Sequence, residues 1–205
     1  MPARPLAPEE EAVMRSAWVW LFLCVSVGCS TRARAEEGRS GLVLGAAFGV
    51  SSIRTAVGAV PARMELSASF PNLKIGAMLR HDTALVLHLP GSIYRYKGAG
   101  RERDRGFEGV VPSLQFWPLD RWWVMGGVGL TLDAPAFYDV KSKDEGKFHL
   151  GPSVTLGTGF EVIRAGRFVV DVQGRGHYGA ASVPEGTRKG LAFNLLAGIN
   201  WYQGR

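Results

Sequence analysis

Large or apolar residues recur at every second position from Phe148 to Val162 (FHLGPSVTLGTGFEV), interrupted only at Thr158. The residues between them are His149, Gly151, Ser153, Thr155, Gly157, Gly159 and Glu161. Such alternation marks a β-strand, whose successive side chains leave opposite faces. Strands of soluble proteins average about five or six residues, so this one is long. Seven further segments alternate in the same way: Gly41–Val50, Asn72–Arg80, Thr83–Pro90, Phe107–Trp117, Trp122–Leu132, Phe168–Tyr178 and Leu191–Tyr202. No segment carries an amphipathic helix pattern, so the fold class is all-β.

The connections differ in kind. Those at His81-Asp82, Pro118–Arg121 and Arg164–Gly166 are short. Those at Ser51–Pro71, Gly91–Gly106, Asp133–Gly146 and Gly179–Lys189 are long and polar or Gly-rich, and are expected to be loops. Short turns at one end and long connections at the other is the plan of an outer-membrane barrel. Trp117, Trp122, Trp123, Trp201 and Tyr202 fall beside the short-turn end. Tyr94, Tyr96, Phe107, Phe137, Tyr138, Phe148 and Tyr178 fall toward the other. Two such groups suit the aromatic girdles of a membrane-spanning band. The expectation is an eight-stranded antiparallel transmembrane up-and-down β-barrel in residues 36–205, with lipid on its apolar face and a narrow lumen on its Gly-rich polar face. A soluble lipocalin-like carrier would require the reverse, with apolar residues inside.

The pattern resembles the small outer-membrane barrels of the OmpA/OmpX/OmpW type, over nearly all of residues 39–202. GLVLGAAFGV is similar to their first strand and GLAFNLLAGINWY to their last. The resemblance implies a partner in biogenesis, the barrel-assembly machinery, which reads the last strand. The family usually ends at an aromatic residue, whereas here Gln203-Gly204-Arg205 follow Tyr202.

Residues 1–35 are expected to be a signal peptide. Ala17–Cys29 is an apolar run preceded by Arg15, shorter than the roughly 20 residues of a membrane-spanning helix, and Ala33-Arg34-Ala35 follows as a cleavage site. Lipidation at Cys29 is the competing route, and Met14 the competing start. Both cysteines, Cys24 and Cys29, lie in this segment, so the exported chain has no disulfide framework. The 24 Lys/Arg and 18 Asp/Glu fall to 20 and 15 once the four Arg and three Glu of residues 1–35 are removed. That mild basicity lacks the cationic stripe with interleaved aromatics that nucleic-acid binding needs.

Catalytic motifs are missing. Lipid-modifying barrel enzymes resemble one another in an H-x-S pair on one strand, and none of His81, His88, His149 or His177 begins one. His149 and Ser153 share a face but are separated by about 13 Å of strand. No clustered spacing suggests a metal, and no glycine motif leads into a helix as a phosphate loop would. No cofactor is expected. The polar faces place Lys74, Arg80, His88, Gln115, His149, Glu161, Asp171, Gln173, Arg175 and Asn194 in the lumen as a mixed-charge network. The connection Tyr94–Arg105 carries Arg95, Lys97, Arg101, Arg103 and Arg105, candidates to meet lipopolysaccharide phosphates beside outer-membrane lipid. The expected function is a non-enzymatic, monomeric envelope protein acting through its long loops. The alternatives are a barrel passing small or apolar solutes and a lipid-modifying barrel enzyme.

Overall fold

The computed structural model describes residues 39–58, 60–98, 101–136, 138, 148–184 and 186–204. The expected signal peptide lies outside them. Nine strands form one antiparallel sheet: β1 (Ser40–Val57), β2 (Val60–Arg80), β3 (Thr83–Leu89), β4 (Gly91–Gly98), β5 (Arg101–Phe116), β6 (Trp122–Pro135), β7 (His149–Ala165), β8 (Phe168–Val183) and β9 (Gly186–Gly204). β3 and β4 are two halves of one barrel strand, interrupted at Pro90. Both pair with β5, and β1 pairs with β9, so eight strands close into a ring.

The register of that ring can be followed residue by residue. From Val43 the pairs run through Gly76, Val86, Ser113, Gly127, Thr155, His177 and Ala192, and return to β1 at Ile53, ten residues beyond the start. An even offset keeps one face inward all the way round, and every non-glycine residue on this circuit is buried. Eight strands with that offset tilt by roughly 40° and leave an interior just wide enough for side chains.

The outer face is apolar. Phe48, Leu66, Val128, Leu156, Phe193 and Leu195 are all exposed, whereas Lys74, Glu161, Asp171, Gln173 and Arg175 are buried. This is the reverse of a soluble carrier.

The connections expected to be loops are largely strand. β1 continues to Val57 and β2 starts at Val60, with Ser51 opposite Ser67 and Val57 opposite Val60. β4 and β5 likewise pair from Gly91–Glu108 to Gly98–Arg101, and β8 and β9 close from Gly179–Gly190 to Val183–Gly186. Pairing across each hairpin satisfies backbone donors and acceptors that a loop would leave to water. A strand needs about 9–11 residues to cross a bilayer. β2, with 21 residues, is about twice that length.

The wall has one irregular seam. The β2–β3 ladder ends at Leu73–Leu89, and the upper half of β2 pairs only with β1 while β4 pairs only with β5. Pro90 has no N–H to contribute. Side chains bridge instead: Ser69 Oγ donates to the Gly91 carbonyl at 2.8 Å, and the Arg95 N–H to Glu65 Oε2 at 2.9 Å. A Cβ at Gly91 would lie 2.4 Å from the Pro71 carbonyl oxygen, so this approach requires glycine.

The faces define an assembly test. Leu156→Arg places a charge in the apolar band at a cost of about 2–4 kcal/mol, whereas Ser182→Arg adds one outward near a hairpin tip. On folding into lipid vesicles, read by heat-modifiable gel mobility, Leu156→Arg is expected to lose most folded protein and Ser182→Arg to match wild type.

Candidate functional site

The lumen is filled in tiers, each built on a buried carboxylate or cation. Nearest the short turns is Glu161 of β7. Arg39 Nη2 donates to both its oxygens at 3.0 Å, Trp117 Nε1 to Oε1 at 2.9 Å, and Arg164 Nε to Oε2 at 2.8 Å. The Arg39 guanidinium also stacks 4.6 Å from the centre of a Trp117 ring. Burying a carboxylate is costly unless such donors surround it. At the margin, Arg164 Nη1 donates to Asp120 Oδ2 at 2.7 Å. That bond holds the Asp120 carboxyl below the usual carboxylate range, so the contact stays charged into mild acid.

Asp171 of β8 forms the next tier. Trp123 Nε1 and Asn200 Nδ2 each donate to its Oδ2 at 3.0 Å, and Gln173 Nε2 donates to Oδ1. Lys74 Nζ donates to Gln115 Oε1 at 3.0 Å and sits 5.3 Å from the centre of a Trp123 ring. Above them Arg175 meets His88 Nε2, and the His177 ring packs 5.3 Å from that of Phe107.

The upper tier centres on Asp133 of β6. Arg105 Nε donates to Oδ1 at 2.7 Å, Tyr94 OH to the same oxygen at 3.0 Å, and Arg188 Nη1 to Oδ2. Ile53, Tyr94, Phe107 and Ala192 pack as an apolar layer beneath it.

Glycine makes this density possible. A Cβ at Gly159 would fall 2.4 Å from the Trp123 ring, one at Gly190 2.5 Å from the Phe107 ring, and one at Gly45 2.7 Å from Lys74 Cε. The small positions of the alternating pattern are the sockets of the large lumen side chains.

Of the ten residues expected in the lumen, Lys74, His88, Gln115, Glu161, Asp171, Gln173, Arg175 and Asn194 are buried there. His149 is half-buried, opposite Asp133. Arg80 is a correction. An irregularity between Met78 and Arg80 breaks the inward row, and its side chain is 73% exposed beside Asp82. The cationic connection is also corrected. Arg105 points inward to Asp133, Arg95 faces outward and pairs with Asp104 at 3.2 Å, and Arg103 is half-buried. The side chains of Lys97 and Arg101 lie outside the described residues. The residues do not form one outward cationic face, because the ladder sets Arg95 opposite Asp104 and the buried Tyr94 opposite Arg105, which puts Arg105 on the other face from Arg95.

Sequence reasoning missed Arg39, Asp133, Arg188 and the inward turn of Trp117, Trp123 and Tyr202. Of the five aromatics expected in the lower girdle, Trp122 and Trp201 stay on the outer face. Of the upper aromatics, Tyr94 and Phe107 are buried, while Phe148 and Tyr178 face outward. Strand parity would have put Asp133 on the inward face of Thr131, and Trp123 on that of Met125.

No catalytic constellation forms among the described residues, nor any group of three metal-ligating side chains. An apolar hollow of about 440 Å³ lies on the outer face around Ala46, ringed by Leu44, Leu73, Ile75, Ile199 and Trp201.

No protein-family model matches the chain, and no curated protein matches its sequence. Solved structures do match. Neisserial surface protein A (NspA) is 17% identical with a TM-score of 0.52, over 80% of this chain and 99% of that one. The attachment invasion locus protein Ail of Yersinia pestis is 13% identical with a TM-score of 0.48, over 79% and 99%. OprG from Pseudomonas aeruginosa is 12% identical with a TM-score of 0.42, over 80% and 98%. The protein is a closed eight-stranded antiparallel barrel. Its fold is that of the small outer-membrane β-barrels, the architecture that the sequence pattern resembled.

The sockets can be tested singly. Gly159→Ala pushes the Trp123 ring off its bond to Asp171 and is expected to destabilise the barrel by about 1–3 kcal/mol. Gly174→Ala meets nothing within 4 Å and is expected to be neutral. Urea unfolding in lipid vesicles measures the difference.

Proposed function

We propose that this protein is a non-catalytic, monomeric outer-membrane barrel, exported by a signal peptide, whose lumen is shut and whose work is done outside it by projecting β-hairpins. One observation carries the reading: two buried carboxylate clusters, at Glu161 and Asp133, block the lumen in series. At both clusters the carboxylate is paired with arginines inside a low-dielectric wall, so the two ends of the lumen are filled by opposite charges in contact. The overshoot of β1, β2, β4 and β5 past the apolar band supplies a rigid surface for an external partner. NspA, matched at a TM-score of 0.52, is by name a surface protein. In such a membrane the paired hairpins lie above the outer leaflet, and the partners closest to them are outer-membrane lipid and lipopolysaccharide. The last strand, β9, is the segment the assembly machinery would read.

Catalysis has little support. His149 and Ser153 are four residues apart on β7, too far for a direct bond. His88 and His177 face Arg175 and Phe107. Passage of small apolar solutes is a second reading, favoured by the β2–β4 seam, where bonds between a side chain and the facing backbone stand in the place of a ladder. Uptake of a small apolar solute by proteoliposomes, absent from empty liposomes, would favour it.

Planar-bilayer recording tests the shut lumen. Wild type is expected to show no steady conductance. Glu161→Ala alone is expected to stay shut, because the Asp133 tier and Phe107 remain. Glu161→Ala combined with Asp133→Ala and Phe107→Ala is expected to conduct, provided heat-modifiable mobility shows it folded. Steady conductance from wild type would overturn the reading.

A further inference from the structure

Two cations stand together on the outer face at the upper margin of the apolar band. Arg54 of β1 pairs with Leu191 of β9, and Lys189 lies two residues further toward the hairpin tip. The ladder climbs ten residues per circuit. The β9 position level with Arg54 is therefore one to two residues above Leu191, which brings Lys189 to about the same height. Cross-strand diagonal neighbours are separated by roughly 7–8 Å, close enough to share one phosphate. Both side chains are exposed, and among the described residues neither forms an ion pair. Arg95, outward on β4, is by contrast neutralised by Asp104.

Two like charges on adjacent strands repel one another and weaken the sheet, unless an anion lies between them. What lies directly below is apolar. Ser52 is the next outward residue on β1, and its partners Leu66 and Phe193 are 82% and 59% exposed. The short Ser52 side chain between them leaves a shallow furrow that leads down from the cations to Val50 and Leu195.

We propose that Arg54 and Lys189 bind the phosphate of a phosphorylated, multiply acylated glycolipid of the outer leaflet, with an acyl chain in the furrow at Ser52. The site rests on the outer-membrane reading of the barrel, and it moves the lipid contact from Tyr94–Arg105 to the β9–β1 pair. A guanidinium offers phosphate two parallel hydrogen bonds and an ammonium a compact charge. The furrow distinguishes a membrane lipid from free phosphate, which has nothing to place there.

The test uses the full exported chain refolded in detergent and titrated with diphosphoryl lipid A, with the same lipid dephosphorylated, and with inorganic phosphate. The readout is the unfolding midpoint on heat-modifiable gels. Wild type is expected to be stabilised by diphosphoryl lipid A alone. Arg54→Ala with Lys189→Ala is expected to need about tenfold more lipid for the same shift. Arg54→Lys with Lys189→Arg, and Arg95→Ala, are expected to keep the wild-type response. Equal responses of wild type and the double alanine variant would overturn the site, as would an equal response to dephosphorylated lipid or to inorganic phosphate. Because the double alanine variant still folds and stays non-conducting if the barrel reading holds, loss of the lipid site is distinguishable from failure of that reading.

Discussion

Hydrocarbon offers backbone N–H and C=O groups no partner, and the rest of this structure follows from that. Eight strands satisfy every rung only if the last pairs with the first, which β9 and β1 do from Val43–Tyr202 to Val57–Arg188. Closure with an offset of ten residues then sets the tilt and the bore. A bore this narrow has to be filled by side chains. Hence large and small residues alternate not only along each strand but between facing ones, as with Trp123 over Gly159 and Phe107 over Gly190.

Filling the bore with polar groups brings its own requirement. A carboxylate without donors would be costly there, and its removal from a paired cluster would leave arginines uncompensated. Glu161 and Asp133 each gather arginines and an aromatic donor, Trp117 or Tyr94, most of them from parts of the chain far apart in sequence, although Arg164 comes from Glu161's own strand. These clusters tie opposite walls together at the two ends. Between them Lys74, Arg175 and His88 rely on Gln115, the Trp123 ring and one another rather than on direct contact with a carboxylate. The middle of the lumen is thus held by weaker polar contacts than either end.

Two places stand out in the wall outside. Above Leu73–Leu89 the ladder gives way to side-chain bridges, because Pro90 withdraws a donor and Gly91 lets two backbones touch. At the β9–β1 junction Arg54 and Lys189 carry uncompensated charge where the apolar band ends. Both places lie toward the long-hairpin end, where the chain has spent most of the length it does not need for crossing.

Periodicity carried the architecture. Alternation is a local property of a strand, so the eight crossing segments, the short turns and the inward set Lys74, Gln115, Glu161, Asp171 and Arg175 were legible in the sequence alone. The paired extensions were less so. Met64, Leu66, Ala68 and Phe70 alternate with Arg63, Glu65, Ser67 and Ser69, but the polar character of the stretch suggested a loop. Arg80 escaped because a ladder irregularity resets parity, and nothing in the residues marks where that occurs. Trp117, Trp123 and Tyr202 turned inward because partners on other strands, Asp171 and Glu161 with Arg39, complete their burial. Which carboxylate meets which arginine, and that Arg54 comes level with Lys189, depends on an offset accumulated over eight pairings. A single strand records which face a side chain takes; only the closed ring sets its height and the neighbour across the bore.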